Sequence, residues 1–229
     1  MTEQEAREAI CEAGRRMYLR NLIAAADGNI SVRLAPDRYL ITPSGVSKGF
    51  LVPEQIVVAD GQGAHLEGDG KVSSEFFTHL AAYEEREDIG AVIHAHPPYG
   101  VALTLVGVSL ARPVLPEVVA SLGGVPTAAY ATPGTKEGAD AVRPHIQAGD
   151  AVLLDRHGAL TVGETVFDAL FKMERIEHAA EMIYRAHCIS APLPLDDSQI
   201  ERLLASREAY GASGRLGVIE SFPPSSDAT

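Results

Sequence analysis

AVIHAHPP, residues 91–98, starts as a short apolar run and ends on two histidines and a double proline. A run of this length bounded by breakers is the pattern of a short apolar strand. Pro97 and Pro98 stop it, because neither can donate to a ladder. Successive strand side chains alternate between faces, so residues two apart point the same way. His94 and His96 therefore leave the strand end together and can approach one metal ion at about 2.0–2.1 Å. Taken alone, the spacing also suits two hydrogen-bonded surface histidines.

The flanking sequence alternates short strands with helices. AVLLD (151–155) reads as a second buried strand, and ALTV (159–162) as its hairpin partner across Arg156-His157-Gly158. Helical patterns cover 98–106, 117–122 and 135–147, with a candidate strand at 128–131. Upstream, Ile30–Val32, Tyr39–Thr42 and Val57–Val58 are strand patterns separated by turns, among them Asp27-Gly28-Asn29 and Pro43-Ser44-Gly45. Ser73 or Ser74 is the candidate N-cap of a helix to about Arg86, in which Phe76, Phe77, Leu80 and Tyr83 recur at helical spacing. Helices are also expected over 3–20, 164–187 and 198–210. The pattern predicts one α/β (α+β) domain over 1–210, a sheet covered by helices on both faces. Residues 211–229, rich in Gly, Ser and Pro, are expected to form a mobile tail.

Composition narrows the function. The 229 residues are 46% apolar and 22% charged, the balance of one large globular domain. A net charge of −12 argues against nucleic acid or an anionic membrane as the main partner, since both need a basic footprint. No apolar run nears the roughly 20 residues of a membrane span. The acidic start MTEQEAREAI lacks the layout of a signal peptide, so the expected location is cytoplasmic. Cys11 and Cys188 form no disulfide framework and are expected as reduced thiols.

Three constellations carry chemistry. His157, at the end of another strand, adds a third imidazole to His94 and His96, which makes an open metal site with one free position. Ser73-Ser74-Glu75 places a carboxylate at a helix start, where it caps and favours the dipole or, near a metal, moves a proton. His79, one turn on, either orients Glu75 or makes a structural hydrogen bond. The turns at Gly28-Asn29, Ser44-Gly45 and Ser73-Ser74 offer backbone N–H groups and hydroxyls which, brought together, form a nest for phosphate. His65, His145, His178 and His187 carry no such pattern.

DGNIS (27–31), ITPSG (41–45), SSE (73–75), HAH (94–96), YATPGT (130–135) and RHGAL (156–160), in this order, resemble the class II aldolase/adducin-head family. The resemblance implies a three-layer α/β/α domain around a central, largely antiparallel sheet. It implies zinc (with Mn2+ or Co2+ as alternatives) on His94, His96 and His157, and Glu75 as catalytic acid/base. It assigns substrate phosphate to Gly28, Asn29, Ser44, Gly45, Ser73 and Ser74. Members are typically homotetramers with sites between subunits, and Tyr210 matches a tyrosine in the segment that closes over the site. Two positions depart from the fuculose-phosphate aldolase pattern. Glu117 stands near the place of a tyrosine acid donated by the neighbouring subunit, and Ala26 replaces a phosphate-contacting threonine. The implied reaction is retro-aldol cleavage of a ketose 1-phosphate to dihydroxyacetone phosphate and an aldehyde, through an enediolate. Dehydration, decarboxylation and epimerisation start from the same intermediate. The epimerase branch carries aspartate where Glu75 stands. An adducin-like interaction module would need no histidine triad.

Overall fold

The computed structural model describes residues 1–220, apart from the side chain of Tyr210. Helix α1 (Glu3–Leu19) opens on a capping box, in which the Thr2 hydroxyl accepts from the Glu5 N–H and the Glu5 carboxylate from the Thr2 N–H. Strands β1 (Asn29–Ala35) and β2 (Arg38–Ile41) form a hairpin turned at Asp37, a non-glycine residue at positive φ. Strands β3 (Val57–Ala59) and β4 (His65–Glu67) extend it outward. There follow α2 (Phe76–Glu85), β5 (Ala91–Ala95), α3 (Pro98–Leu105), α4 (Pro116–Leu122), β6 (Thr127–Ala128) and α5 (Lys136–Ala148). The chain continues through β7 (Ala151–Leu154), β8 (Gly158–Gly163), α6 (Val166–His187) and α7 (Asp197–Ala205).

The strands form one sheet in the order β4-β3-β2-β1-β5-β8-β7-β6. Every pairing is antiparallel except β6 with β7, so the expected largely antiparallel sheet is what the chain builds. Strand β5 lies near its centre and is buried throughout, as its unbroken apolar run requires.

Alternation along β5 separates two cores. Ile93 packs on one face with Ile10 and Met17 of α1, Leu103 of α3, and Leu170, Met173 and Ile176 of α6. Val92 packs on the other with Ala81 and Tyr83 of α2 and Ala139, Val142 and Ile146 of α5. The result is the expected three-layer α/β/α sandwich. His94 is two residues beyond Val92 and so shares its face, the one covered by α2. That parity aims the histidine at the helix that Ser73-Ser74-Glu75 leads into.

Several local expectations change. The N-cap of α2 is Glu75, with no side-chain cap bond, while the Ser73 hydroxyl accepts from the Glu75 N–H at 3.3 Å. The strand read at 128–131 pairs only through Thr127 and Ala128. The last helix ends at Ala205, where the Ser206 hydroxyl donates back to the Arg202 carbonyl, and a separate 3-10 turn covers Arg207–Tyr210.

Residues 211–220 run along the body instead of standing free. The Gly217 N–H donates to Leu122, the Gly124 N–H to Gly217 and the Glu220 N–H to Ala111. Side chains at Gly124 or Gly149 would strike this segment, so glycine is what admits it. Residues 221–229 lie outside the described residues. No helix among the described residues is long and apolar enough to cross a membrane.

Candidate active site

The β7–β8 hairpin carries His157 at its tip. Leu154 pairs with Gly158, and Arg156 between them takes a left-handed conformation at φ 60°. The Arg156 N–H donates to the Thr104 hydroxyl of α3, which fixes the loop. Gly158 packs flat against β5, leaving His157 beside the end of that strand.

His94, His96 and His157 meet there in a nearly equilateral set, with ring centroids 4.9, 4.7 and 4.9 Å apart. The Nε2 atoms of His94 and His96 are 3.0 Å apart. Glu75 reaches in from the start of α2, its carboxylate oxygens 3.3 Å from His94 Nε2 and 3.4 Å from His157 Nε2. A tetrahedral ion with ligands at about 2.0–2.1 Å would set those ligands about 3.3 Å apart. The three nitrogens and the carboxylate therefore fit one ion, and all four ligand atoms lie within 4.8 Å of one another.

Protonation agrees with that use. The His94 Nδ1–H donates to the Ala159 carbonyl at 3.0 Å, which leaves Nε2 as the free lone pair. Burial pushes the His94 imidazolium down to about 4, against the attraction of Glu75. Burial also lowers His157. His96 turns Nδ1 toward Asp27, 3.5 Å away. Burial would raise the Glu75 carboxyl, but His94, His157 and the Asn29 amide outweigh it and hold it below its ordinary range.

Two of the three donor turns, at Asn29 and at Ser73, bond to Glu75. The Asn29 Nδ2 donates to the Glu75 carboxylate at 3.0 Å, and its Oδ1 is buried without a hydrogen-bond partner. Gly28 is at φ 71°, and a Cβ there would meet Ile23 at 2.7 Å and the His94 carbonyl at 2.9 Å. The Ser44 N–H is already committed to the Lys71 carbonyl, which ties the Ser44-Gly45 turn to the segment leading into Ser73. Gly45, at φ 74°, is open on all sides. Ser74 lies against Gly134. A cleft above the cluster is walled by Ala131, Pro133, Gly134, Ala141 and Leu154.

His79 is a structural anchor beneath this floor. Its Nδ1 pairs with the Ser31 hydroxyl at 2.7 Å, and that hydroxyl also pairs with Tyr83 at 2.9 Å. Complete burial pushes its imidazolium down to about 3.

Glu117 is not part of this assembly within one chain. It is exposed on α4 and lines a separate cavity of about 260 Å³ with Arg175, His178 and Met182. The Tyr210 side chain lies outside the described residues. Two groups escaped the sequence reading. Asp27 reads in the sequence as turn chemistry and as part of DGNIS, without a site role, although its place beside Gly28-Asn29 is a usable signal. Lys48 had no signal at all.

The sequence profile of the Class II Aldolase and Adducin N-terminal domain matches residues 8–184. The chain belongs to that family. It is 34% identical over 213 residues to the 5-deoxy-D-ribulose 1-phosphate aldolase of Bacillus thuringiensis serovar kurstaki, covering 92% of this chain and 99% of that protein. It is 32% identical over 188 residues to the 3-oxo-tetronate 4-phosphate decarboxylase of Haemophilus influenzae, covering 80% and 89%. Its fold matches a solved L-fuculose 1-phosphate aldolase with a TM-score of 0.83 at 30% identity, over 91% of this chain and 98% of that one. As a class II aldolase family member with aldolase relatives, the chain is a lyase, and its Glu/His cluster is the candidate site for the divalent metal on which such enzymes depend.

Proposed function

We propose that this lyase cleaves a ketose 1-phosphate by a retro-aldol reaction, giving dihydroxyacetone phosphate and a short aldehyde, with zinc as the ion on His94, His96 and His157. The observation that carries the reading is Glu75, a carboxylate held by the Asn29 amide at the open side of the His94, His96 and His157 imidazoles. Zinc held there supplies Lewis-acid polarisation of the substrate carbonyl.

The chain's own groups handle protons and position. Asn29 keeps Glu75 ionised and aimed at the cluster. Ionised Glu75 takes the proton of the substrate's C3 hydroxyl on binding. As the C3–C4 bond breaks, its electron pair stays with C3 and Glu75 gives that proton to C3, the C3 oxygen being reprotonated from solvent as the product leaves. The C4 hydroxyl must lose a proton to become the aldehyde. Glu117 is the acceptor we assign, and it reaches the cleft from a neighbouring copy in a homotetramer. That assignment is supported by its exposure on α4, away from its own cluster. Gly28, Asn29, Ser44, Gly45, Ser73 and Ser74 form the phosphate cradle.

The test is incubation of metal-loaded protein with a panel of ketose 1-phosphates. Release of dihydroxyacetone phosphate, followed by coupled reduction, is the expected result. No release from any pentulose or deoxyhexulose 1-phosphate would overturn the reading. A second reading, decarboxylation of a 3-oxo acid phosphate, is favoured by the same separation of Glu117, because loss of carbon dioxide needs no acceptor at an aldehyde oxygen. Evolved carbon dioxide from such an acid would identify it.

A further inference from the structure

Among the described residues, two lysines are buried, and they are built differently. Lys172 is held by Asp150 at 2.7 Å, Asp168 at 2.9 Å and the Val162 carbonyl at 3.0 Å. Its charge is matched on the spot, as burial of an ammonium demands. Lys48 is only 2% exposed, yet its one hydrogen bond goes to a neutral group, the Ala26 carbonyl, at 2.6 Å. Among the described residues no carboxylate lies within ion-pair distance of it.

The position of Lys48 is enforced. It opens the 3-10 turn Lys48–Phe50 that follows Ser44-Gly45, and its backbone carbonyl lies against Gly14 of α1, where any Cβ would collide with it. The ammonium is thereby placed one carbonyl behind Asp27-Gly28-Asn29. Burial lowers its proton affinity, while Asp27 and Glu75, both at the metal cleft, act in the opposite sense. Its field therefore reaches the cleft. The neighbouring Ser47 hydroxyl is also buried without a partner.

The cleft has a charge problem that Lys48 answers. The chain carries a net charge of −12, and two of its carboxylates, Glu75 and Asp27, stand beside the cluster. A phosphate dianion entering there meets repulsion that neutral N–H donors only partly offset. Residue 26, where a threonine hydroxyl would be expected, is alanine, and its carbonyl is the one Lys48 holds.

We infer that Lys48 is the cationic partner of the substrate's phosphate group, acting from behind the Ala26–Asn29 turn and replacing the donor missing at Ala26. This rests on the phosphate cradle proposed above. A lysine with only a structural role would be matched as Lys172 is. Lys48 instead completes its charge balance when a phosphate monoester occupies the turn.

The test uses the metal-loaded full chain with inorganic phosphate as probe. Lys48→Met is expected to weaken phosphate binding, read as its competitive inhibition constant, by about tenfold or more. Metal content should stay full, and Lys48→Arg should recover most of the loss. Wild-type affinity for phosphate in a folded, metal-replete Lys48→Met protein would overturn the inference and leave the cleavage reading intact. A wild-type protein that neither binds phosphate nor cleaves any ketose phosphate would overturn both. If Lys48→Met does not fold, the side-chain nitrogen resonances of the chain's four lysines give a second measurement on the wild-type protein. Phosphate should shift the Lys48 resonance saturably and leave Lys172 in place. An unmoved Lys48 resonance at saturating phosphate would overturn the inference.

Discussion

Gly158 lies so close to His94 that a Cβ on it would stand 2.8 Å from the imidazole Cε1. The same Cβ would stand 2.9 Å from His96 Cδ2 and would collide with the Ala95 carbonyl. Glycine after His157 is thus what lets two strand ends bring three imidazoles to one point.

Gly158→Ala should therefore damage the metal site before it damages the fold. Backbone on one side and two ligands on the other leave no flexible neighbour to give way. Metal affinity is expected to fall about 10–100-fold, as when ligand orientation is lost. Unfolding stability should fall by about 1–3 kcal/mol from overpacking. Titration with a chromophoric chelator and a thermal melt measure the two. Full metal occupancy at an unchanged melting point would contradict the geometry. Removing the metal from the wild-type protein should abolish cleavage reversibly, with activity returning on addition of zinc.

Asn29→Ala separates the placing of Glu75 from the metal. The Asn29 amide stabilises the ionised carboxylate, so its loss raises the Glu75 pKa. The acid limb of the kcat profile should move to higher pH, and kcat should drop by about 10-fold or more, in line with loss of a hydrogen bond to a charged group. KM should rise as well if Asn29 also touches phosphate. An acid limb that stays in place would remove Asn29 from this role.

The His94 and His96 pair, the strand beneath it and the sandwich around it were legible because each depends on short-range alternation ended by proline. Gly158 and His157 were legible as a turn. Other features depend on contacts between distant segments. Ser73 and Ser74 look like the better caps for α2, yet Glu75 takes that position while its carboxylate turns to Asn29 and two histidines. Lys48 is buried only because Gly14 of α1 admits its backbone. The docking of residues 211–220 depends on Gly124 and Gly149, whose role is invisible until the segment that crosses them is placed.

Two histidines that stay neutral when buried predict the acid stability of the metal-free protein. His94 and His79 are pushed down to about 4 and about 3 by burial, from an ordinary value of 6.5. Between those values the unfolded chain binds more protons than the folded one, so stability rises with pH. It should be full above pH 6.5 and fall as pH drops toward 4. His79→Asn retains an acceptor for Ser31 and removes one titrating group. The slope of stability against pH in that window should decrease by about 1.4 kcal/mol per pH unit. Denaturant melts of metal-free protein at a series of pH values read this directly. An unaltered slope would mean that His79 binds its proton equally in both states.

The separation of Glu117 from its own cluster makes a prediction about mixtures. Glu75→Ala and Glu117→Gln chains should each be nearly inactive. If Glu117 enters a neighbour's cleft, a hybrid assembly contains sites that combine Glu75 of one chain with Glu117 of another. With random exchange at equal amounts, roughly one site in four receives both carboxylates, so activity should recover to about a quarter of the wild-type rate. Mixing must follow partial dissociation, with the state of assembly read by light scattering. If both residues served within one chain, each subunit of the hybrid would still lack one of them and no activity would return. Recovery thus reports where α4 of one copy meets the histidines of the next.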